Sequence, residues 1–209
     1  MTKAQLQESF LSEDEFVQLI LRSDERMELI GGRVYTMAGG ELDHSRCIDN
    51  LAAALKLGLR GKTCRAIGSN FHIRVEKTKD WFIPDNAIHC EGARFVRQPF
   101  RALLDPIVVF EVLSPSTEKF DRTDKFDAYK TIASFQEYIL ISLDFVRVEQ
   151  FSRQDDGWLQ KTFVRLEDVI ELASVGLTLR VADLYDELDV PVQLRLIWPP
   201  DELELDPNP

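Results

Sequence analysis

Two carboxylates stand in this chain where carboxylates are costly. In the stretch DPIVVFEVLS, residues 105–114, strand alternation puts Ile107, Val109, Glu111 and Leu113 on one face and Val108, Phe110 and Val112 on the other. Apolar residues on both faces mark a central strand covered on both sides. Glu111 in such a strand needs compensation by a metal ion, a lysine or a bound proton. FIPDNAIHC, residues 82–90, repeats the pattern with Asp85 directly after Pro84. The proline makes this a strand end or edge, which a ligand can reach; a turn or capping role is the alternative for Asp85. Two acids on neighbouring strands can converge on one divalent cation. Oxygen ligands of this kind suit Mg²⁺, with Mn²⁺ as a substitute. Such an ion polarises a phosphate and lowers the pKa of an attacking water, and a nearby lysine positions that water or steadies the developing charge. Asp121, Lys125 and Tyr129 recur every four residues. Lys125 therefore either pairs with Asp121 on a helix surface or points back at the carboxylates.

The elements that must position these groups follow from hydrophobic period. Ser12-Glu13-Asp14-Glu15 has the form of a capping box, and Phe16, Leu19 and Ile20 continue it at helical spacing. MELI-GG-RVYTM reads as a hairpin with a Gly-Gly turn. From His44 to about Arg60, Ile48, Leu51, Leu55 and Leu59 repeat every three to four residues, a helix stopped by Gly61. Alternation then predicts strands at Phe71–Val75 and in FIPDNAIHC, DPIVVFEVLS and QEYILISLD. A helix over 122–133 lies between the last two. VRVEQFSR and GWLQKTFVRL form a final antiparallel pair around Asp155-Asp156-Gly157. The order points to an α/β or α+β domain, a mixed sheet with helices packed on it, over residues 1–190. Residues 191–209, with Pro191, Pro199, Pro200, Pro207 and Pro209, read as an extended acidic tail.

The 209 residues carry 25 basic and 36 acidic side chains, a net charge of −11 that weighs against nucleic acid as a partner. The distribution softens this. Residues 44–130 hold 15 basic against 11 acidic residues, while from Glu167 onward 2 basic face 11 acidic. The middle is mildly basic and the ends acidic, which leaves room for an anionic partner at the centre, although an acidic tail kept for solubility explains the ends equally well. Arg94, Arg97, Arg101, Lys119 and Arg122 are the candidates for phosphate contacts. Cys47, Cys64 and Cys90 are odd in number and without a C-x-x-C pair, which argues against disulfides or structural zinc and for a reducing, cytoplasmic setting. The polar N-terminus does not resemble a signal peptide, and no apolar run is long enough to span a membrane.

Glu28-Leu29-Ile30-Gly31-Gly32, Pro84-Asp85, Glu111-Val112-Leu113-Ser114-Pro115-Ser116-Thr117, Asp121-Arg122 with Lys125 and Tyr129, and Glu137-Tyr138 stand in the order seen in the Uma-type putative restriction endonucleases. The chain resembles that family, of the PD-(D/E)XK nuclease superfamily, over roughly residues 10–188. The resemblance implies a restriction-endonuclease-like core with a Mg²⁺ site acting on DNA. Asp85 and Glu111 would be the metal-binding acids, Glu28 an added acid from the N-terminal part, and Lys125 the catalytic lysine. The superfamily lysine stands two residues after the glutamate, where this chain has Leu113; the resemblance moves that role to Lys125 on the next helix. His44, which family sequences often share, is read first as a helix cap and second as an auxiliary of the site, with Tyr129 a further auxiliary. A homodimer is expected, since a duplex has two strands to cut. The competing reading is a nuclease fold without catalysis, a homo-oligomeric or partner-binding module, which the acidic balance favours.

Overall fold

The computed structural model describes residues 3–5 (backbone only), 10–37, 41–97 and 99–192. The expected tail lies outside them except for Pro191 and Val192. The chain opens with β1 (Lys3–Gln5), α1 (Glu13–Ile20) and the hairpin β2 (Met27–Ile30) and β3 (Arg33–Met37). The capping box of α1 is present: the Glu15 N–H donates to Ser12 Oγ at 3.3 Å and the Ser12 N–H to Glu15 Oε2 at 2.8 Å. Gly31 and Gly32 turn the hairpin at φ of 55° and 78°, the positive values a two-residue turn of this hand requires. Then come α2 (Leu42–Gly58), β4 (Cys64–Gly68), β5 (His72–Arg74), β6 (Trp81–Phe82) and β7 (Asn86–Cys90). They lead through β8 (Phe95–Val96) and β9 (Ala102–Leu103) to β10 (Val108–Val112).

The second half begins with α3 (Glu118–Arg122), α4 (Asp124–Lys130) and β11 (Glu137–Ser142). The hairpin β12 (Arg147–Gln154) and β13 (Gly157–Phe163) follows, then β14 (Val169–Leu172), β15 (Leu177–Arg180) and α5 (Val181–Leu184). The β14–β15 pair and α5 were not expected from the sequence. Their apolar residues Ile170, Leu172, Leu177, Leu179, Val181 and Leu184 join the core beneath α2.

The described residues form three sheets. The central one has the order β13-β12-β11-β10-β7-β4, and β10 and β11 are its parallel pair. A parallel pair needs a crossover, and α3 and α4 supply it. The face carrying Val108, Phe110 and Val112 packs on Cys47, Leu51 and Leu55 of α2. The face carrying Val109 and Leu113 packs on Phe126 and Tyr129 of α4, with Tyr138 and Leu140 of β11. Glu111 shares that second face. The crossover helix therefore lies over Glu111 as a consequence of topology. The second sheet, β1-β3-β2-β6-β5-β9-β8, packs on α1 through Phe16, Val17, Met27, Leu29, Val34 and Trp81.

Three expectations change. The single strand FIPDNAIHC is two: β6 belongs to one sheet and β7 to the other, and Ile83-Pro84-Asp85 is the passage between them. Pro84 has no N–H to give a ladder, so the break falls there. The helix expected over 122–133 is broken at Thr123, whose hydroxyl bonds the Lys119 carbonyl at 2.7 Å and ends α3. Cys64 and Cys90 stand directly opposite each other in the β4–β7 register and form a disulfide, against the expectation of free thiols. Strand pairing, not sequence spacing, brings them together. The ground for expecting a reducing compartment is thereby removed. Among the described residues no helix is long and apolar enough to cross a membrane.

Leu51 is fully buried at the centre of the α2 contact with the sheet. Leu51→Ala is expected to cost about 2–5 kcal/mol of unfolding free energy by urea titration; a loss below about 1 kcal/mol would contradict this packing.

Candidate active site

Glu111 leaves β10 toward the crossover, and in the first turn of α4 Lys125 meets it. Lys125 Nζ lies 2.5 Å from Glu111 Oε1, 3.5 Å from Asp121 Oδ1 and 3.9 Å from Glu28 Oε1. The lysine side chain is 2% exposed, and the Phe82 ring lies 5.8 Å from the ammonium. Of the two readings of Lys125, the surface pair with Asp121 is overturned: the pair exists, but it is buried and shared with Glu111. Asp121 was expected only as a surface partner and is instead a fourth buried acid of the cluster. The D-x-x-x-K spacing carried that information, but it does not tell which way the helix faces.

Asp85 enters from the passage between the sheets. Its Oδ2 accepts the Val112 N–H at 2.7 Å, tying it to the residue after Glu111. His44 lies on the first turn of α2, whose N-cap is Glu41, so the histidine is not the cap. Its Nε2 is 3.0 Å from the Val112 carbonyl and 3.8 Å from Asp85 Oδ2. A carbonyl only accepts, so Nε2 carries the hydrogen. Glu28 extends from β2, on the face opposite Met27 and Leu29, and accepts the Ile83 N–H through Oε1 at 2.7 Å. Tyr129 is buried one turn beyond Lys125, its ring 5.2 Å from that of Phe82. A cavity of about 20 Å³, room for one water or one small ion, is lined by Met37, His44, Asp85, Glu111, Val112, Thr117, Asp121 and Lys125.

Charge is the main feature of this space. Glu28, Asp85, Glu111 and Asp121 are all at most 5% exposed, and Lys125 is the ammonium among them. Burial pulls the Lys125 ammonium down, but Glu111, Glu28 and Asp121 outweigh it and hold the amine well above its ordinary value. Burial pushes the Glu111 carboxyl well above its usual range; Lys125 opposes this, and Asp121 and Asp85 add to it. Asp85 is raised too, by burial first, against the pull of His44 and the Val112 N–H. One cation cannot balance four buried carboxylates, so the cluster retains protons or takes a second cation. For a hard divalent ion the donor chemistry fits: carboxylate oxygens facing a space of one ion's size. Among the described residues no set of three or more His, Cys, Asp or Glu is arranged to hold a metal. Two acids suffice for Mg²⁺, which keeps several of its waters.

The expected phosphate contacts do not gather here. Arg94 is held by Asp105 at 2.8 Å and Glu76 at 3.0 Å, and Arg122 by Glu118 at 2.8 Å and Glu149 at 2.6 Å. Arg97, Arg101 and Lys119 are exposed. None of the five lines the cavity.

The model of the Uma2 family, described as putative restriction endonuclease, matches residues 13–182. Two uncharacterized proteins of Synechocystis sp. are similar. The protein slr1290 is 33% identical over 176 residues, 84% of this chain and 91% of that one. The protein sll1609 is 31% identical over 150 residues, 71% of this chain and 85% of that one. In three dimensions the chain is similar to a crystal structure titled a putative nuclease of DUF820 from Anabaena variabilis. The TM-score is 0.65 at 19% identity, covering 84% of this chain and 97% of that one. The fold, mixed sheets flanked by helices, is therefore that of a nuclease-like neighbour.

The raised carboxyls have a thermodynamic signature. Asp85 and Glu111 keep protons in the folded protein that the unfolded chain, with ordinary values of 3.8 and 4.5, has already released. Their contribution to stability is complete below those values and is lost as pH rises through the higher folded ones. In metal-free buffer, Glu111→Gln is expected to gain stability relative to wild type as pH rises from 4.5 toward neutrality, read by urea unfolding at several pH values. A difference independent of pH would contradict the assignment.

Proposed function

We propose a function from one premise, that the chain belongs to the Uma2 family of putative restriction endonucleases: it is a Mg²⁺-dependent endonuclease that hydrolyses phosphodiester bonds of DNA. The observation that carries this is the seating of Lys125. An ammonium from the crossover helix lies 2.5 Å from the buried Glu111 of the adjacent strand. It takes up from another element the place that the superfamily pattern gives to the residue occupied here by Leu113.

In this reading Asp85 and Glu111 would hold the ion, which would supply polarisation of a phosphate oxygen and acidification of a water. Three other residues position and balance the site. Glu28 braces the passage that carries Asp85 through its bond to the Ile83 N–H. His44 donates to the Val112 carbonyl while the Val112 N–H donates to Asp85, so both backbone groups of one residue help to orient the acid. Lys125, kept charged by its neighbours, offers its ammonium to the water or to the developing charge on phosphate. Tyr129 fills the space beside it. A homodimer, with one site for each strand of a duplex, belongs to the same reading.

Wild-type protein with Mg²⁺ or Mn²⁺ is expected to nick supercoiled plasmid. Asp85→Ala, Glu111→Ala and Lys125→Ala should each lose roughly 10²-fold or more in rate, the scale of removing one preorganised electrostatic group. By calorimetry, Asp85→Ala and Glu111→Ala should lose Mg²⁺ binding while Lys125→Ala keeps it. Equal binding by all of them would end the metal-site reading. Absence of cleavage by concentrated wild type would favour the non-catalytic module.

A further inference from the structure

A second concavity shares no lining residue with the carboxylate cavity. A groove of about 560 Å³ runs between α2 and β4, the edge strand of the central sheet. Its floor is apolar, from Ala52, Leu59, Ala66 and Ile67, and its rim carries Lys56, Arg60 and Arg65. Residues 56–65 hold four basic side chains and no acidic one, in a chain of net charge −11. Lys56, Arg60 and Arg65 are exposed. Arg65 bonds only the backbone carbonyls of Lys62 and Cys64. No described carboxylate lies within ion-pairing distance of the three, in contrast to Arg94 and Arg122. The inner end of the groove is lined by Asn86, which is 1% exposed and whose Nδ2 has no hydrogen-bond partner among the described residues. A buried amide donor left unsatisfied beside an open groove is a place for an acceptor.

The groove and the site share two elements. Asn86 directly follows Asp85 and pairs with Phe110, the residue before Glu111. His44 reaches the site from the first turn of α2, whereas Ala52 and Lys56 line the groove eight and twelve residues along the same helix. At 1.5 Å per residue that is about 12 to 18 Å, the rise of roughly four to five stacked nucleotides of one strand. We infer that this groove seats the backbone of a DNA strand leading toward the carboxylate cavity. Lys56, Arg60 and Arg65 lie along its phosphates, and the Asn86 amide donates at the inner end. The direction of travel rests on the nuclease reading; the anion-binding chemistry does not. The paired Arg94 and Arg122 take no part.

Binding without metal separates the two. A fluorescein-labelled single-stranded DNA 12-mer in EDTA is followed by anisotropy across a salt series, beside an RNA 12-mer of the same sequence. Lys56→Glu/Arg60→Glu should weaken Kd roughly tenfold or more and flatten the plot of log K against log salt by about 1.4, two contacts at about 0.7 each. Lys56→Ala/Arg60→Ala should act in the same direction, and Arg97→Glu/Arg101→Glu should stay within about twofold of wild type. The exposed positions let all three variants keep the wild-type melting temperature. Failure of wild type to bind the DNA, binding of the RNA 12-mer alone, or equal weakening by the Arg97/Arg101 variant would overturn the groove. Groove-dependent binding by a wild type that never cleaves with Mg²⁺ would uphold the groove and end the nuclease reading. Cleavage that the groove variants leave untouched would do the reverse.

Discussion

A single ammonium among four buried carboxylates sets the terms for the rest of this molecule. Removing Lys125 would leave Glu111 in a space where ionisation is costly, and keeping it still leaves more negative than positive charge. The surrounding structure answers that imbalance with directed donors. The Val112 N–H serves Asp85, and the Ile83 N–H serves Glu28. Such a cluster is poorly designed for stability alone, because apolar side chains of similar volume would fill the space with less desolvation. Its form suits a task in which a cation or a proton comes and goes.

The architecture brings these groups together from four directions. The parallel pair of β10 and β11 requires a crossover, and the crossover lays α4 across Glu111. The change of sheet at Ile83-Pro84-Asp85 brings Asp85 to the boundary between the two large sheets. There β2 can present Glu28, and the first turn of α2 can present His44. Each of these elements has its own apolar anchor: Leu51 and Leu55 for α2, Phe126 for α4, and Met27 and Leu29 for β2. The groups of the site are thus carried on elements anchored in three separate apolar clusters.

Much of this was legible from pattern. A glutamate in a strand apolar on both faces has few explanations, and the structure places Glu111 where the alternation put it. The capping box of Ser12 and Glu15, the Gly-Gly hairpin and the α2 helix are local devices, and local devices survive in sequence. The misreadings have two causes. The disulfide between Cys64 and Cys90 and His44 as an inward-facing residue depend on which residue stands opposite which, whereas the break at Thr123 comes with a local hydroxyl bond to the Lys119 carbonyl that a periodic pattern does not register. A regular spacing gives the face of a helix but not what that face meets.

The sequence by itself determined the kinds of group available: acids in covered strands, a D-x-x-x-K-x-x-x-Y face, and a basic centre between acidic ends. Those properties reside in residue types and periods, which the chain carries before it folds. Only the tertiary structure decided that Lys125 turns inward onto Glu111, that Asp121 is part of the cluster, and that the arginines at 94 and 122 are engaged by carboxylates. Only folding left Lys56, Arg60 and Arg65 around a groove that ends beside Asp85. Electrostatic partnership depends on distance and burial, and both are fixed by the pairing of strands and the packing of helices far apart in sequence.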